Sequence, residues 1–97
     1  MAVSLSKAAA RDIEDILEHS LVEFGVHQAE TYYASLTHCL ELLGGNPEMG
    51  SAAEDIRPGY RRFPYESHII FYTIRPEDIL VVRILHQRMD VIRNIQG

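Results

Sequence analysis

The chain is expected to fold as an α+β domain in the order β-α-α-β-β-β-α, with an antiparallel sheet packed against a helical hairpin. Two observations carry that expectation. Between Ile13 and Leu43 apolar residues recur at helical period, interrupted once by Gly25. Between Tyr60 and Leu85 three short runs rich in Ile, Val, Phe and Tyr are separated by turn residues. No repeat, low-complexity tract or linker divides the sequence, so residues 1–97 read as a single domain.

Each element has its own signal. Val3-Ser4-Leu5 is a short opening strand, and Ser6 is placed to cap the helix that follows. Ile13, Ile16, Leu17, Leu21 and Phe24 form the apolar stripe of the first helix, which Gly25 terminates, and acids fill most of the remaining surface. The second helix presents Ala29, Tyr32, Tyr33, Leu36, Cys39, Leu40 and Leu43, then stops at Gly44-Gly45-Asn46-Pro47. So short a connection between two helices implies an antiparallel hairpin. Residues 48–58 read as a loop closed by the Pro58-Gly59 turn. Strands follow at Tyr60–Pro64, His68–Ile74 and Ile79–Leu85, close enough in sequence to form an antiparallel meander. Pro64 has no N–H to give a ladder, so it marks a strand end or an edge. A short last helix spans Met89 to Ile95, with Asp90 as its cap.

Composition excludes several function classes. The formal charge is −5 and the pI about 5.4, which does not suit a protein that grips a nucleic-acid backbone. The charge is uneven: residues 1–50 hold two bases against eight acids, while residues 51–97 hold seven arginines against six acids. Lys7 is the only lysine, and the arginines suit bidentate contacts to carboxylates more than diffuse attraction. No apolar run approaches the ~20 residues of a membrane span. The first residues lead straight into a charged helix without the apolar core of a signal peptide, and the single cysteine, Cys39, fits a reducing compartment, so a cytoplasmic protein is expected. Cys39 falls on an apolar stripe, where it reads as a small hydrophobe. His19 and Glu23 stand four apart on a helix, but spacing supplies no third ligand, so no metal site is expected. Nor does any glycine-rich phosphate loop, Ser-His-Asp arrangement or cofactor motif occur.

Several motifs in order resemble the ParE branch of the RelE/ParE toxin superfamily. They are Leu5-Ser6 followed by Ala9, Asp12-Ile13-x-x-Ile16, and Phe24-Gly25-x-x-Gln28-Ala29-x-x-Tyr32. The series continues with Asn46-Pro47-x-Met49-Gly50, Gly59-Tyr60-Arg61, Ser67-His68-x-x-x-Tyr72 and Arg83-Ile84-Leu85-His86-x-x-Met89-Asp90. The resemblance spans nearly the whole chain. It implies the toxin of a type II toxin–antitoxin pair, held inactive in a hetero-oligomer with a ParD-like antitoxin. When free, it would inhibit DNA gyrase and block replication without being an enzyme. The superfamily's other branch, similar to RelE, cuts mRNA on the ribosome. A toxin fold that keeps only antitoxin binding is a third possibility.

The candidate partner contacts are Arg61, Arg62, Arg83, His86 and Arg88. Strand alternation puts Tyr60 and Arg62 on one face and Arg61 on the other, with Tyr60 expected on the helices and Arg61 solvated, ion-paired or holding a partner carboxylate. Alternation also groups Arg83 with Val81 and Leu85, away from Leu80, Val82 and Ile84. A charge at mid-strand requires either the open face of the sheet or a partner. Arg83 and His86 are the pair an RNA-cleaving reading would use as cation and general acid, since imidazole titrates near neutrality. As structural readings, His86 can instead fix the turn after its strand, and His68 can pair across strands.

Overall fold

The computed structural model describes residues 1–96. Strand β1 (Ala2–Leu5) leads into α1 (Lys7–Phe24) and α2 (Val26–Gly45), then a 3-10 turn (Pro47–Met49) and the two-residue strand β2 (Ser51–Ala52). Strands β3 (Tyr60–Tyr65), β4 (His68–Ile74) and β5 (Asp78–His86) follow, and α3 (Val91–Gln96) ends the described chain. The expected β-α-α-β-β-β-α layout is therefore the one observed, with β2 added inside the stretch read as loop.

The sheet order is β1-β5-β4-β3-β2. The meander β3-β4-β5 is antiparallel, as its short turns require. β1 joins β5 in parallel, from Ala2↔Asp78 to Leu5↔Val81, so the sheet is mixed. A parallel partner needs a long crossover, and here nearly the whole chain lies between the two strands. Pro64 lies within β3, paired across from Ile69, on a stretch that β2 does not reach. It thus occupies an edge, where its missing N–H leaves no ladder bond unmade.

β1 stops before β5 does, and the start of α1 takes over the exposed edge. Ser6 N–H donates to Val81 O (3.0 Å), Ser6 Oγ donates to Val82 O (2.7 Å), and Ile84 N–H donates to Asp12 Oδ2 (2.9 Å). Ser6 also caps α1, its Oγ accepting from Ala9 N–H at 2.9 Å. Replacing Ser6 by Ala removes both bonds and should lower stability by about 1–2 kcal/mol, read as a shift in urea midpoint.

Both faces of the sheet are covered. Ile70, Tyr72, Ile79, Val81 and Ile84 pack against Ala9, Leu36, Cys39, Leu40 and Leu43 of the hairpin. Phe71 and Leu85 pack on the other side against Ala53 and Ile56, with Tyr60, Val82, Val91 and Ile95 around them. Tyr60 therefore lies away from the hairpin, contrary to expectation, although its alternation with Arg61 holds. A register shift at Phe71/Tyr72 breaks the assumed parity of β5: Arg83 pairs with Phe71 while Val81 pairs with Tyr72, leaving Val82 as the extra residue. Such a bulge moves the residues after it to the opposite face, so Val81 and Ile84 share the hairpin side while Arg83 and Leu85 share the other.

The hairpin stripe is also shorter than periodicity predicts. Gly25, at φ 91°, turns α1 into α2 with backbone that favours glycine. None of residues 21–35 around it is buried, so Leu21, Phe24 and Tyr33, expected in the core, are exposed.

Candidate functional site

The five candidate contacts do not converge. Arg61 lies on the hairpin side of β3, where Nη2 donates to the carbonyls of Glu48 (3.2 Å) and Gly50 (2.5 Å). It ties down the turn after α2 rather than facing solvent, and its buried Nε has no partner among the described residues. Arg62, on the other face, pairs with Asp55 at 2.5 Å and holds that carboxyl below its usual range. Arg83 is engaged twice: Nε and Nη2 grip Asp12 at 2.8 and 2.9 Å, and Nη1 donates to Asn94 O at 2.6 Å. Of the two possibilities for a mid-strand charge, the structure takes the paired one. The Asp12 hydrogen bonds raise the already high pKa of Arg83 further, so it stays a cation.

His86 and Arg88 lie at the far end of β5. Arg88 N–H donates to His86 Nδ1 (3.1 Å), the turn-fixing role a histidine can play there. That bond leaves the neutral ring's proton on Nε2. The Arg88 side chain is exposed and makes no hydrogen bond or ion pair among the described residues. Asp90 caps α3 as expected, its Oδ1 accepting from Arg93 N–H at 3.1 Å.

Residues far apart in sequence build a cleft of about 440 Å³ between the hairpin and the β3–β4 turn. His68 pairs across strands with His86, and their rings meet edge to face at 5.3 Å. Tyr32 reaches in from α2 with its hydroxyl 3.2 Å from His68 Nδ1, and its ring packs edge-on against Tyr65. The Tyr65 hydroxyl in turn donates to Ser35 Oγ. Burial first, then the neighbouring Tyr65 and Glu66, push the Tyr32 hydroxyl up to about 12, so it remains protonated. Burial lowers the pKa of His68, with His86 and His19 acting in the same direction and Asp12 opposing them.

That shift predicts a pH dependence. A histidine whose folded pKa is depressed binds its proton more readily in the unfolded chain. Stability should therefore fall as pH drops below about 6.5, until the folded ring also titrates. In His68→Gln the loss of melting temperature between pH 7.5 and 5.5 should be smaller than in the wild type, as followed by circular dichroism.

The cleft is ill-suited to cutting RNA. Its lining, which includes His19, Gln28, Thr31 and Ser67 beside the residues above, contains no lysine or arginine to stabilise a phosphorane. Arg83, the cation expected for that chemistry, is held by Asp12. No group of three metal-ligating side chains occurs among the described residues. Burial raises the pKa of the Cys39 thiol, which removes it as a nucleophile.

A smaller apolar groove of about 200 Å³ runs where β1 meets the hairpin, lined by Val3, Leu5, Ile13, Tyr33, Leu36 and Leu40, with Thr37 and Glu41 at its polar margin. Periodicity signals these residues as apolar, but not that Leu5 and Tyr33 stay open to solvent. No helix is long and apolar enough to cross a membrane among the described residues.

Comparison with known proteins gives a consistent result. A family model described as the ParE toxin of the type II toxin–antitoxin system parDE matches residues 3–91. Toxin ParE1 of Mycobacterium tuberculosis (strain H37Rv) is 45% identical over 92 residues, covering 94% of each chain. Toxin ParE1 of Caulobacter vibrioides is 37% identical over 86 residues, covering 89% of this chain and 88% of the relative. Among solved structures, one described as the chromosomal ParDE TA system from P. aeruginosa superposes with a TM-score of 0.76. It covers 89% of this chain and 95% of the other at 22% identity, a likeness of fold.

Proposed function

The chain belongs to the ParE toxin family of type II toxin–antitoxin systems, and we propose that it acts by binding rather than by catalysis. Its target is DNA gyrase, whose inhibition blocks replication, and a ParD-like antitoxin holds it inactive in a hetero-oligomer. The site of action is the cytoplasm, where the chromosome lies. No cofactor enters this reading.

The observation that carries it is the state of Arg83. A nuclease of the related branch would need a free cation near His86, whereas this arginine is fully engaged by Asp12 and Asn94 O. The groove lined by Val3, Leu5, Ile13, Tyr33, Leu36 and Leu40 suits the apolar face of an antitoxin helix. The edge of β3 beyond Arg62 is left uncovered by β2 and leaves the Pro64 carbonyl as an acceptor for an extended antitoxin segment. Among the five basic candidates, His86 and Arg88 serve as partner contacts, while Arg61, Arg62 and Arg83 hold the scaffold.

The test is a supercoiling assay with purified gyrase, the toxin, and the toxin with its cognate antitoxin. Dose-dependent loss of supercoiling with accumulation of cleaved DNA, reversed by antitoxin, is expected. Growth arrest with unchanged gyrase and halted translation would move the target to ribosome-bound mRNA. Antitoxin binding without growth arrest would leave a binding partner only.

A further inference from the structure

The cleft between the hairpin and the β3–β4 turn holds polar groups that the fold itself leaves unused. Ser20, on α1, lines it and is buried to 7% exposure. Its hydroxyl makes no hydrogen bond among the described residues, and it is not one of the atoms sealed from solvent. A buried hydroxyl without an internal partner is stabilised only by something that bonds it from outside. His68 and His86 line the same cleft, and each commits Nδ1 to the fold, one to the Tyr32 hydroxyl and the other to Arg88 N–H. The Nε2 atoms of both rings stay without a partner among the described residues.

The lining decides the charge of a ligand. It presents N–H and O–H donors from Ser20, Gln28, His68 and His86, beside an apolar wall of Ile16, Phe24 and Tyr65. Glu66, exposed at the turn, is its only carboxylate, and no lysine or arginine lines it. A cation would find too few acceptors, and a phosphate dianion would meet no fixed positive charge. A carboxylate carries one charge, which one protonated imidazole balances. His68 is the ring that can take that proton without losing a bond. Its Nδ1–H then donates to the Tyr32 oxygen, and its Nε2–H is left for the ligand. A proton on His86 would instead occupy the nitrogen that accepts from Arg88 N–H. The groups around His68 are His19 and Asp12 of α1, Tyr32 of α2, Tyr65 and Glu66 at the end of β3 and the turn, and His86 of β5. Burial and the other two histidines favour the neutral ring, and an anion within hydrogen-bond reach opposes them.

We propose that this cleft binds a carboxylate on a small apolar or aromatic body, held by Ser20 Oγ, His86 Nε2 and a His68 that takes up one proton from water as the ligand enters. Its volume of about 440 Å³ falls within the range of small-molecule sites. A free acid and an acidic side chain of a bound protein share this chemistry. The site does not depend on gyrase being the target.

The experiment titrates the full chain with benzoate and follows the histidine ring resonances by NMR. Saturable shifts of His68 and His86 are expected, with binding about tenfold tighter at about pH 6 than at about pH 8. Ser20→Ala should weaken benzoate by about fivefold or more. Its melting temperature should equal or exceed that of the wild type, because the hydroxyl supports nothing inside the fold and alanine favours the helix. His68→Gln should flatten the pH dependence to within about twofold. Benzamide, of the same shape but uncharged, should bind about tenfold more weakly or worse. No saturable shift, or benzamide as tight as benzoate, overturns the proposal. So does Ser20→Ala that binds like the wild type, or a pH dependence that survives in His68→Gln. Adding the cognate antitoxin separates the two sources of a carboxylate. Displaced benzoate makes the occupant a side chain of the antitoxin, and benzoate that stays bound makes it a free acid.

Discussion

Asp12→Ala should destabilise the chain by about 2–3 kcal/mol, between the ~0–1 of an exposed ion pair and the ~3–5 of a broken buried one. The side chains of Asp12 and Arg83 are 11% and 21% exposed, so neither is well solvated. The substitution strands a backbone donor as well as the Arg83 charge. It removes both carboxylate contacts to the guanidinium and the acceptor for Ile84 N–H, on the stretch of β5 that β1 does not reach. For a domain of this size the loss corresponds to a fall in melting temperature of about 10 °C or more. Asp12→Asn, which keeps an oxygen for Ile84 but no charge, should lie between the two. An Asp12→Ala chain that melts with the wild type would show that the pair is dispensable. Arg83 would then be available for the partner or catalytic roles that its sequence position suggests.

The second large effect is expected at Gly50 and Tyr72. The Tyr72 hydroxyl, on a fully buried side chain, accepts from Gly50 N–H at 3.0 Å and donates to Pro47 O at 2.6 Å. It pins the turn between α2 and β2 to the centre of the sheet. Tyr72→Phe leaves a buried donor and an acceptor unmatched and should lower stability by about 2–3 kcal/mol. Gly50→Ala attacks the same joint from the other side. A methyl there would lie 2.5 Å from the Tyr72 hydroxyl and 2.7 Å from Arg62 O, and the second contact is backbone that cannot swing away. A cost of about 2 kcal/mol is expected, because the turn must shift. Both substitutions break one joint, so the double variant should lose less than the sum of the singles in urea denaturation. Strict additivity would show that the hydroxyl and the turn act independently.

Both sites show how far a linear pattern reaches. Asp12 appears in sequence as one more acid on a charged helix, and Tyr72 as one more aromatic in a strand. Their partners lie 71 and 22 residues away, at Arg83 and Gly50. The same holds for the basic candidates. Arg61, Arg62 and Arg83 are basic side chains on strands, and no local pattern reveals that the fold supplies each with an internal acceptor. Tyr32 belongs by periodicity to a helical stripe and by motif to the family pattern, and neither places it as one wall of the histidine cleft.

Local chemistry was sufficient for the elements and their order. Period 3.6 from Ile13 to Leu43, the breaks at Gly25 and Asn46-Pro47, and three β-rich runs determined two helices and a meander. The caps at Ser6 and Asp90 were legible because a cap spans only three residues. Motifs in order along the chain also determined the family. Only the tertiary structure decided that β1 pairs in parallel with β5, that Val82 is a bulge reversing the faces after it, and which arginines are already occupied. It also decided where the hairpin outruns the sheet and leaves Leu21 and Phe24 in water. Periodicity records which residues share a face. Whether anything lies opposite that face depends on the length of the sheet beneath it, set by register and pairing between segments that no local pattern connects.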